Sequence, residues 1–286
     1  MNKLIVIVLA VAVTATACAG ATLEIRLEPY GRQAWTTDSS QTVTVTRLAF
    51  LLSNFRLQGS DERWVDLPGQ FAFIDPLQNR RGFHLINVPP GSYQQVAFTV
   101  GLDEKTNYAD PSQWPADHPL NPLVNSLHWS WQGGYVFFAL EGHYNKDAGF
   151  SLHLAKSPNQ ARITLAAPLD LQQDAQIAIA LDVHGLLRSI HFATDSSATH
   201  SRDGDPLAAI FRANIARSFF VRTVSAPDAT PVAVTIRALV ATNATPYHFR
   251  VPAGIPNSSS TARQSVDSGR RSARRTALSR ETALAR

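Results

Sequence analysis

Residues 43–57, VTVTRLAFLLSNFRL, form a long run in which β-branched and large apolar residues dominate. Such residues fit the pleated, half-buried surface of a sheet, and the run is long enough to bend or to split into two strands. The segment before it favours the same fold class. Leu23, Ile25 and Leu27 alternate with charged residues, which is the period-two pattern of a strand with one buried face.

Short strand patterns continue along the chain and are separated by turns rich in Gly, Pro and Asn. They cover residues 71–74, 83–88, 93–100, 135–140, 150–154, 162–166 and 176–183. A spacing of about ten residues between short strands is typical of an antiparallel β-sandwich. Strand–helix–strand alternation is absent, which argues against a Rossmann or TIM-barrel architecture. The sequence therefore predicts an all-β sandwich domain over residues 22–222.

Two segments interrupt this rhythm. Residues 101–132 form a polar insertion with four prolines and three tryptophans, and we expect a functional loop without regular structure. Residues 205–220 predict one short C-terminal helix. Asp205 is its expected N-cap, Pro206 lies in its first turn, and Phe219 belongs to its apolar face.

The N-terminal segment predicts export. Residues 1–19 combine a positive start, an apolar stretch of ten residues and a run of small residues, which is typical of a secretory signal peptide. The apolar stretch is too short to span a bilayer. Two cleavage interpretations remain open. Cleavage at a lipobox would leave Cys18 as a lipidated membrane anchor, whereas ordinary signal peptidase would release a soluble protein. Either route predicts a periplasmic or cell-surface location.

The C-terminal segment differs in composition from the sandwich. Residues 223–255 predict an extra strand or linker, and residues 256–286 predict a disordered basic tail because large apolar residues are almost absent. Residues 251–286 hold seven arginines against Asp267 and Glu281, a local charge of +5, so the other 250 residues carry −1. The positive charge therefore belongs to the tail, and we expect no nucleic-acid partner.

Histidine is the residue type best suited to a metal site in this chain. There are nine histidines but one cysteine, which excludes an internal disulfide, a cysteine-based zinc site and a CxxC redox pair. Zinc-protease, nucleophile-elbow and phosphate-loop motifs are absent, so a hydrolase is poorly supported. On a strand, His153 points away from Leu152 and Leu154. His200 lies in a polar segment ahead of the predicted helix, from which its side chain can reach a site.

The densest unusual segment is LHWSWQGGY, residues 127–135. In an extended backbone Trp129 and Trp131 share one face, with His128 and Ser130 on the other. Residue types alone favour a simpler interpretation, in which the two tryptophans close one end of the core.

Longer stretches around this segment carry a family resemblance. HWSWQGGYVFFALEG, preceded by GLDEKTNYADPSQWPADHPLNPL, resembles the MbnP family of exported copper-binding proteins, which are related to CorA and MopE. LAFLLSNFRL, VPPGSYQQVAFTVGLD, FSLHLAKS and THSRDGDPLAAIFRANIARSF match in the same order, so the resemblance spans residues 22–220. The four-cysteine motif of many relatives is missing here.

The resemblance implies that a partner di-haem enzyme of the MbnH type oxidises a tryptophan to kynurenine. Copper then binds through two histidines and the kynurenine. The candidates for modification lie in the matched segment: Trp129 and Trp131, with Trp114 third. The candidate copper ligands lie in matched motifs: His128, His153 and His200, with His118 in reserve. Asp103 and Glu141 also lie in matched motifs, where ion pairing or capping explains them as well as a metal would.

The resemblance predicts a copper-binding protein that is the substrate of a modification and not itself an enzyme. The alternative is an exported β-sandwich module for adhesion or ligand binding. Its Trp-rich insertion would stack on carbohydrate or bury itself against a protein partner. A third interpretation is a copper enzyme, but no acid–base residue is identified for it.

Overall fold

Fourteen strands in two sheets make up most of the part of the chain that the computed structural model describes, residues 20–32, 34–37, 40–130 and 133–225. The predicted signal peptide with Cys18, the candidate Trp131 and the predicted tail lie outside these residues, as does most of the predicted linker 223–255.

The strands, in chain order, are β1 (Ala21–Tyr30), β2 (Ala34–Thr36), β3 (Thr42–Gly59), β4 (Trp64–Leu67), β5 (Ala72–Ile74), β6 (Gly82–Val88), β7 (Ser92–Val100), β8 (His128–Trp129), β9 (Gly134–Tyr144), β10 (Ala148–Ala155), β11 (Ala161–Asp170), β12 (Ala175–Asp182), β13 (Ala198–Thr199) and β14 (Phe219–Ser225). The α-helices are α1 (Glu104–Asn107), α2 (Pro122–Asn125) and α3 (Pro206–Arg217). Single 3-10 turns occur at Pro76–Gln78, Pro111–Gln113, Ser157–Asn159 and Gly185–Leu187.

The two sheets form the predicted all-β sandwich. The smaller sheet has the order β14–β12–β1–β6, and the larger sheet has the order β11–β7–β3–β9–β10–β13. In the larger sheet, β2, β4 and β5 pair with β3, and β8 pairs with β9. Two pairs differ from the expected antiparallel arrangement, because β1–β12 and β10–β13 are parallel. Both pairs join segments far apart in the chain, which leaves room for the long crossover that parallel pairing needs.

Alternate side chains of β9 belong to two different apolar clusters, one on each face of the larger sheet. Phe138 and Leu140 belong to the main core between the sheets, where the ring of Phe138 stacks on Phe50. Phe137 and Ala139 belong to a second cluster. Because neighbouring side chains on a strand point to opposite faces, this second cluster lies on the outer face of the larger sheet.

The insertion covers that outer face, and the expectation of a loop without regular structure was wrong. It contains α1, α2 and a 3-10 turn, and three of its leucines, Leu102, Leu120 and Leu127, are buried in the second cluster. Side-chain caps form each turn: Asp103 accepts a hydrogen bond from the backbone N–H of Thr106, and Asn121 accepts one from Leu123. Asx side chains and prolines stabilise such isolated turns in polar sequence.

The predicted helix forms but is shorter than expected. Asp205 caps α3 by accepting hydrogen bonds from the N–H groups of Leu207 and Ala208, as the sequence indicates. The helix ends at Arg217 because the next residues, Phe219 included, form β14 and pair with β12. No helix within the described residues is long and apolar enough to cross a membrane.

The second cluster should contribute strongly to stability. Phe137 is fully buried in it, so Phe137→Ala is expected to lower the free energy of unfolding by about 3–5 kcal/mol through lost burial and the cavity that remains. Leu123→Ala is the control, because Leu123 is 91% exposed in the same insertion. Denaturant unfolding of the two variants measures the difference. Equal free energies of unfolding for the two variants would contradict the conclusion that the insertion packs against this face.

Candidate metal site

The larger sheet brings distant polar residues to one outer face. His153 lies on β10 between the buried Leu152 and Leu154. On β9, Glu141 pairs with Ser151 of β10 and, on the other side, with Arg47 of β3. Cross-strand partners share a face, so Arg47, Glu141 and His153 project from the side opposite the main core.

Short β13 adds a second histidine to this face. Thr199 pairs in parallel with Leu152, so the next residue, His200, arrives beside His153. Their ring centroids are 5.3 Å apart.

Trp129 completes a cluster of three rings. It lies on β8, which pairs with β9 through Trp129 and Gly134. The centroid of its ring is 5.6 Å from that of His153 and 5.7 Å from that of His200. We call Trp129, His153 and His200 the Trp129 cluster. Its members lie on β8, on β10 and directly after β13, which are far apart in the sequence.

Hydrogen bonds hold the His200 segment against β10. The hydroxyl of the buried Ser201 donates to the carbonyl oxygen of His153 at 2.9 Å and accepts from the N–H of Ala155 at 2.9 Å. The hydroxyl of Thr199 bonds to the carboxylate of Asp205, the N-cap of α3. The position of His200 is therefore tied to β10 on one side and to the helix on the other.

A carboxylate sits at one edge of the His153 ring. The Nε2 atom of His153 is 2.8 Å from Oε1 of Glu141, and Nη1 of Arg47 donates to the same oxygen at 2.9 Å. The Nδ1 atom of His153 is buried and has no hydrogen-bond partner within the described residues.

The pKa values of His153 and Glu141 are both lowered, for different reasons, and together they favour one protonation state. Burial lowers the pKa of His153, and this effect outweighs the hydrogen bond that His153 donates to Glu141, which raises it. Burial raises the pKa of Glu141, but hydrogen bonds from His153 and Arg47 outweigh burial and leave it below its usual value. The pair is therefore a neutral imidazole beside an ionised carboxylate at neutral pH.

Two imidazoles of the cluster suit a transition metal, but they do not make a complete site. A first-row ion such as zinc binds imidazole nitrogens at about 2.0–2.1 Å, so two rings on one ion have centroids roughly 5–6 Å apart. The 5.3 Å between His153 and His200 fits that range. Within the described residues no group of three or more His, Cys, Asp or Glu side chains could hold a metal ion.

The other candidate residues lie elsewhere. His128 points to the opposite side of β8 from Trp129 and packs edge-on against Tyr135, with ring centroids 4.8 Å apart. Burial lowers its pKa. The ring of His118 stacks on Trp114 at 4.3 Å, away from the Trp129 cluster, and its Nδ1 accepts the N–H of Leu120. The structure thus brings together one candidate tryptophan and two of the three candidate histidines.

The sequence left open whether Asp103 and Glu141 pair, cap or bind metal. Asp103 caps α1. Glu141 bonds to His153 and Arg47, a connection that sequence reasoning missed. The alternation of side chains along the strand could have placed Glu141 outside the core. Its partners, however, lie on two other strands, and local sequence patterns do not predict which strands pair.

Comparison with known proteins assigns the family. The family model described as MbnP matches residues 10–201, which is more than half of the chain. The chain belongs to the MbnP family. One solved structure that this chain matches is MbnP from Methylosinus trichosporium, at 13% sequence identity and a TM-score of 0.48, over 66% of this chain and 86% of that chain. A comparison with curated protein sequences gives no match.

The geometry of the Trp129 cluster predicts a structural role for Ser201. Ser201→Ala leaves the Ala155 N–H and the His153 carbonyl without their buried partner, so we expect about 1–3 kcal/mol less stability. Ser60→Ala is the control, since Ser60 is exposed and far along the chain. Denaturant unfolding of both variants tests this, and an unchanged Ser201→Ala midpoint would show that the segment is held by other contacts.

Proposed function

We propose that this chain is an extracytoplasmic copper-binding protein whose site is completed when Trp129 is oxidised to kynurenine by a partner di-haem protein of the MbnH type. One observation carries the proposal: the ring of Trp129 contacts the rings of both His153 and His200. Membership of the MbnP family supports the copper-related role. The signal-peptide interpretation of residues 1–19 supports a periplasmic or cell-surface location.

The donor set explains why an oxidised tryptophan is useful here. An indole nitrogen only donates a hydrogen bond and has no lone pair for a metal. Oxidative cleavage of the indole C2–C3 bond by the haem-borne oxidant of the partner adds two oxygen atoms, and hydrolysis then releases C2 as formate. The product has an aryl amine beside a ketone, and these groups have lone pairs. Two imidazoles provide two donors, and such a group would provide the third. Neutral imidazole suits copper, which heads the divalent affinity order, so a small ligand set can hold it as cargo.

Trp129 is the best supported residue for modification among the described tryptophans. Trp114 stacks on His118 and packs edge-on against Phe71, Trp35 stacks on His184, and Trp64 lies under the guanidinium of Arg56. Each of these has at most one histidine in ring contact. Trp129 has two, so its oxidation would create a donor where two imidazoles already meet.

The adhesion or ligand-binding alternative has less support. The described tryptophans of the insertion, Trp114 and Trp129, are both half-buried and pack against the second apolar cluster. A stacking site for a sugar or a partner would present a free aromatic face. In our proposal the chain is the substrate of a modifying partner and holds or relays copper, without enzymatic activity of its own. Lipidation of Cys18 remains a prediction.

Intact-mass analysis tests the modification. Mature protein isolated from its native host should be heavier by about 4 Da than its sequence without the signal peptide requires, because kynurenine has one oxygen more and one carbon fewer than tryptophan. Peptide sequencing should place the change at Trp129. Trp129→Phe protein should keep the unmodified mass, while Trp114→Phe protein should still gain the increment. An unmodified native protein that also retains no copper would reject the proposal.

Histidine variants test the ligand set. His153→Ala and His200→Ala should each weaken copper binding by more than about 100-fold, since each removes one of two imidazole donors. His128→Ala is the matched control, because it lies in the same motif but contacts Tyr135. Competition with a copper chelator measures the affinities on protein from the native host. A loss confined to His128→Ala would contradict the site.

A further inference from the structure

We infer that Glu141 is a positioning residue for this site: it holds His153 in the orientation and tautomer that leave Nδ1 as the metal-binding nitrogen. The inference rests on the proposed copper site and adds the atom through which His153 binds and the residue that selects it.

Hydrogen-bond chemistry fixes the tautomer. An ionised carboxylate only accepts hydrogen bonds, so the short contact between His153 Nε2 and Glu141 Oε1 requires that Nε2 carries the hydrogen. Ser151 Oγ, at 3.2 Å from Nε2, approaches the same edge of the ring. In a neutral imidazole the other nitrogen then holds a lone pair.

Within the described residues, no donor reaches the lone pair on Nδ1 of His153. Nδ1 is buried and has no hydrogen-bond partner among the described residues, although the side chain as a whole is 13% exposed. Buried polar atoms in folded proteins nearly always have a partner, so a buried acceptor without a donor needs an explanation. A metal ion on Nδ1 provides one. A metal-binding histidine commonly donates its other N–H to a carboxylate, which is the arrangement seen at Nε2.

Arg47 fixes Glu141 and also reaches the segment that leads to Trp129. Its Nη1 donates to Glu141, and its Nη2 donates to the carbonyl of Ser126 at 3.2 Å, at the end of α2. Ser126 is three residues before Trp129. One guanidinium therefore links the residue that orients His153 with the insertion that delivers the tryptophan, and its planar fork suits two fixed acceptors.

A purely electrostatic role would not need this geometry. Arg47 and Glu141 are about equally exposed, at 34% and 30% of their side chains, and could pair with each other at the surface. Instead one oxygen of Glu141 serves both Arg47 and the more buried His153. Removing the carboxylate would leave Nε2 without its acceptor and let the ring adopt the other tautomer, in which Nδ1 carries the hydrogen and cannot bind a metal.

Nitrogen NMR of the metal-free full-length protein tests the tautomer directly. With ¹⁵N-labelled histidine, wild-type His153 should show a protonated Nε2 and an unprotonated Nδ1. Glu141→Ala should produce a mixture of the two tautomers. Glu141→Gln, which keeps the shape and can still accept through its amide oxygen, should retain more of the wild-type tautomer. A protonated Nδ1 in wild-type protein would overturn the inference.

Copper titration of native-host protein against a chelator provides the second measurement. Glu141→Ala should weaken copper binding by about 10–100-fold, and Glu141→Gln should weaken it less. Glu62→Gln is the control, because Glu62 is exposed and distant in sequence. Unchanged affinity in Glu141→Ala would refute the positioning role. If wild-type protein binds no copper, the proposed function fails, whereas the tautomer in metal-free protein still decides the role of Glu141.

Discussion

Side chains alternate along β9 and β10, and this alternation builds an apolar core and a polar site from the same two strands. Leu140 and Leu152 are fully buried between the sheets, while Glu141 and His153 project from the opposite face. A register shift of one residue would place the carboxylate and the imidazole in the core and expose the leucines. The free energy gained by burying leucines therefore also determines where the imidazole lies.

The insertion covers apolar residues on the outer face of the larger sheet. Phe137 and neighbouring apolar residues on the outer face of the larger sheet would otherwise form an exposed patch, a feature that soluble proteins keep small. Short capped turns cover this patch, and Trp129 lies where the covering segment returns to the sheet as β8. The same segment therefore shields an apolar face and places the indole of Trp129 beside two imidazoles.

Local patterns predicted what depends on neighbouring residues. They identified most of the longer strands, the Asp205 cap and the orientation of His153 opposite Leu152. They did not predict the parallel pairing of β10 with β13, which brings His200 to His153, or the bond between Arg47 and Glu141 across 94 positions. Both depend on strand neighbours that only the complete sheet defines. The turns of the insertion differ from the expected irregular loop, because polar composition alone does not exclude short turns capped by Asx side chains and prolines.

The sandwich extends beyond the part of the chain that the family model matches. That match ends at residue 201, but β14 pairs with β12 at the edge of the smaller sheet, and Phe211 of α3 packs edge-on against Phe138 in the main core. A fragment cut at the end of the match would leave β12 with a row of free backbone N–H and C=O groups and a hole beside Phe138. Unprotected strands of this kind recruit other chains, so such a fragment is expected to self-associate.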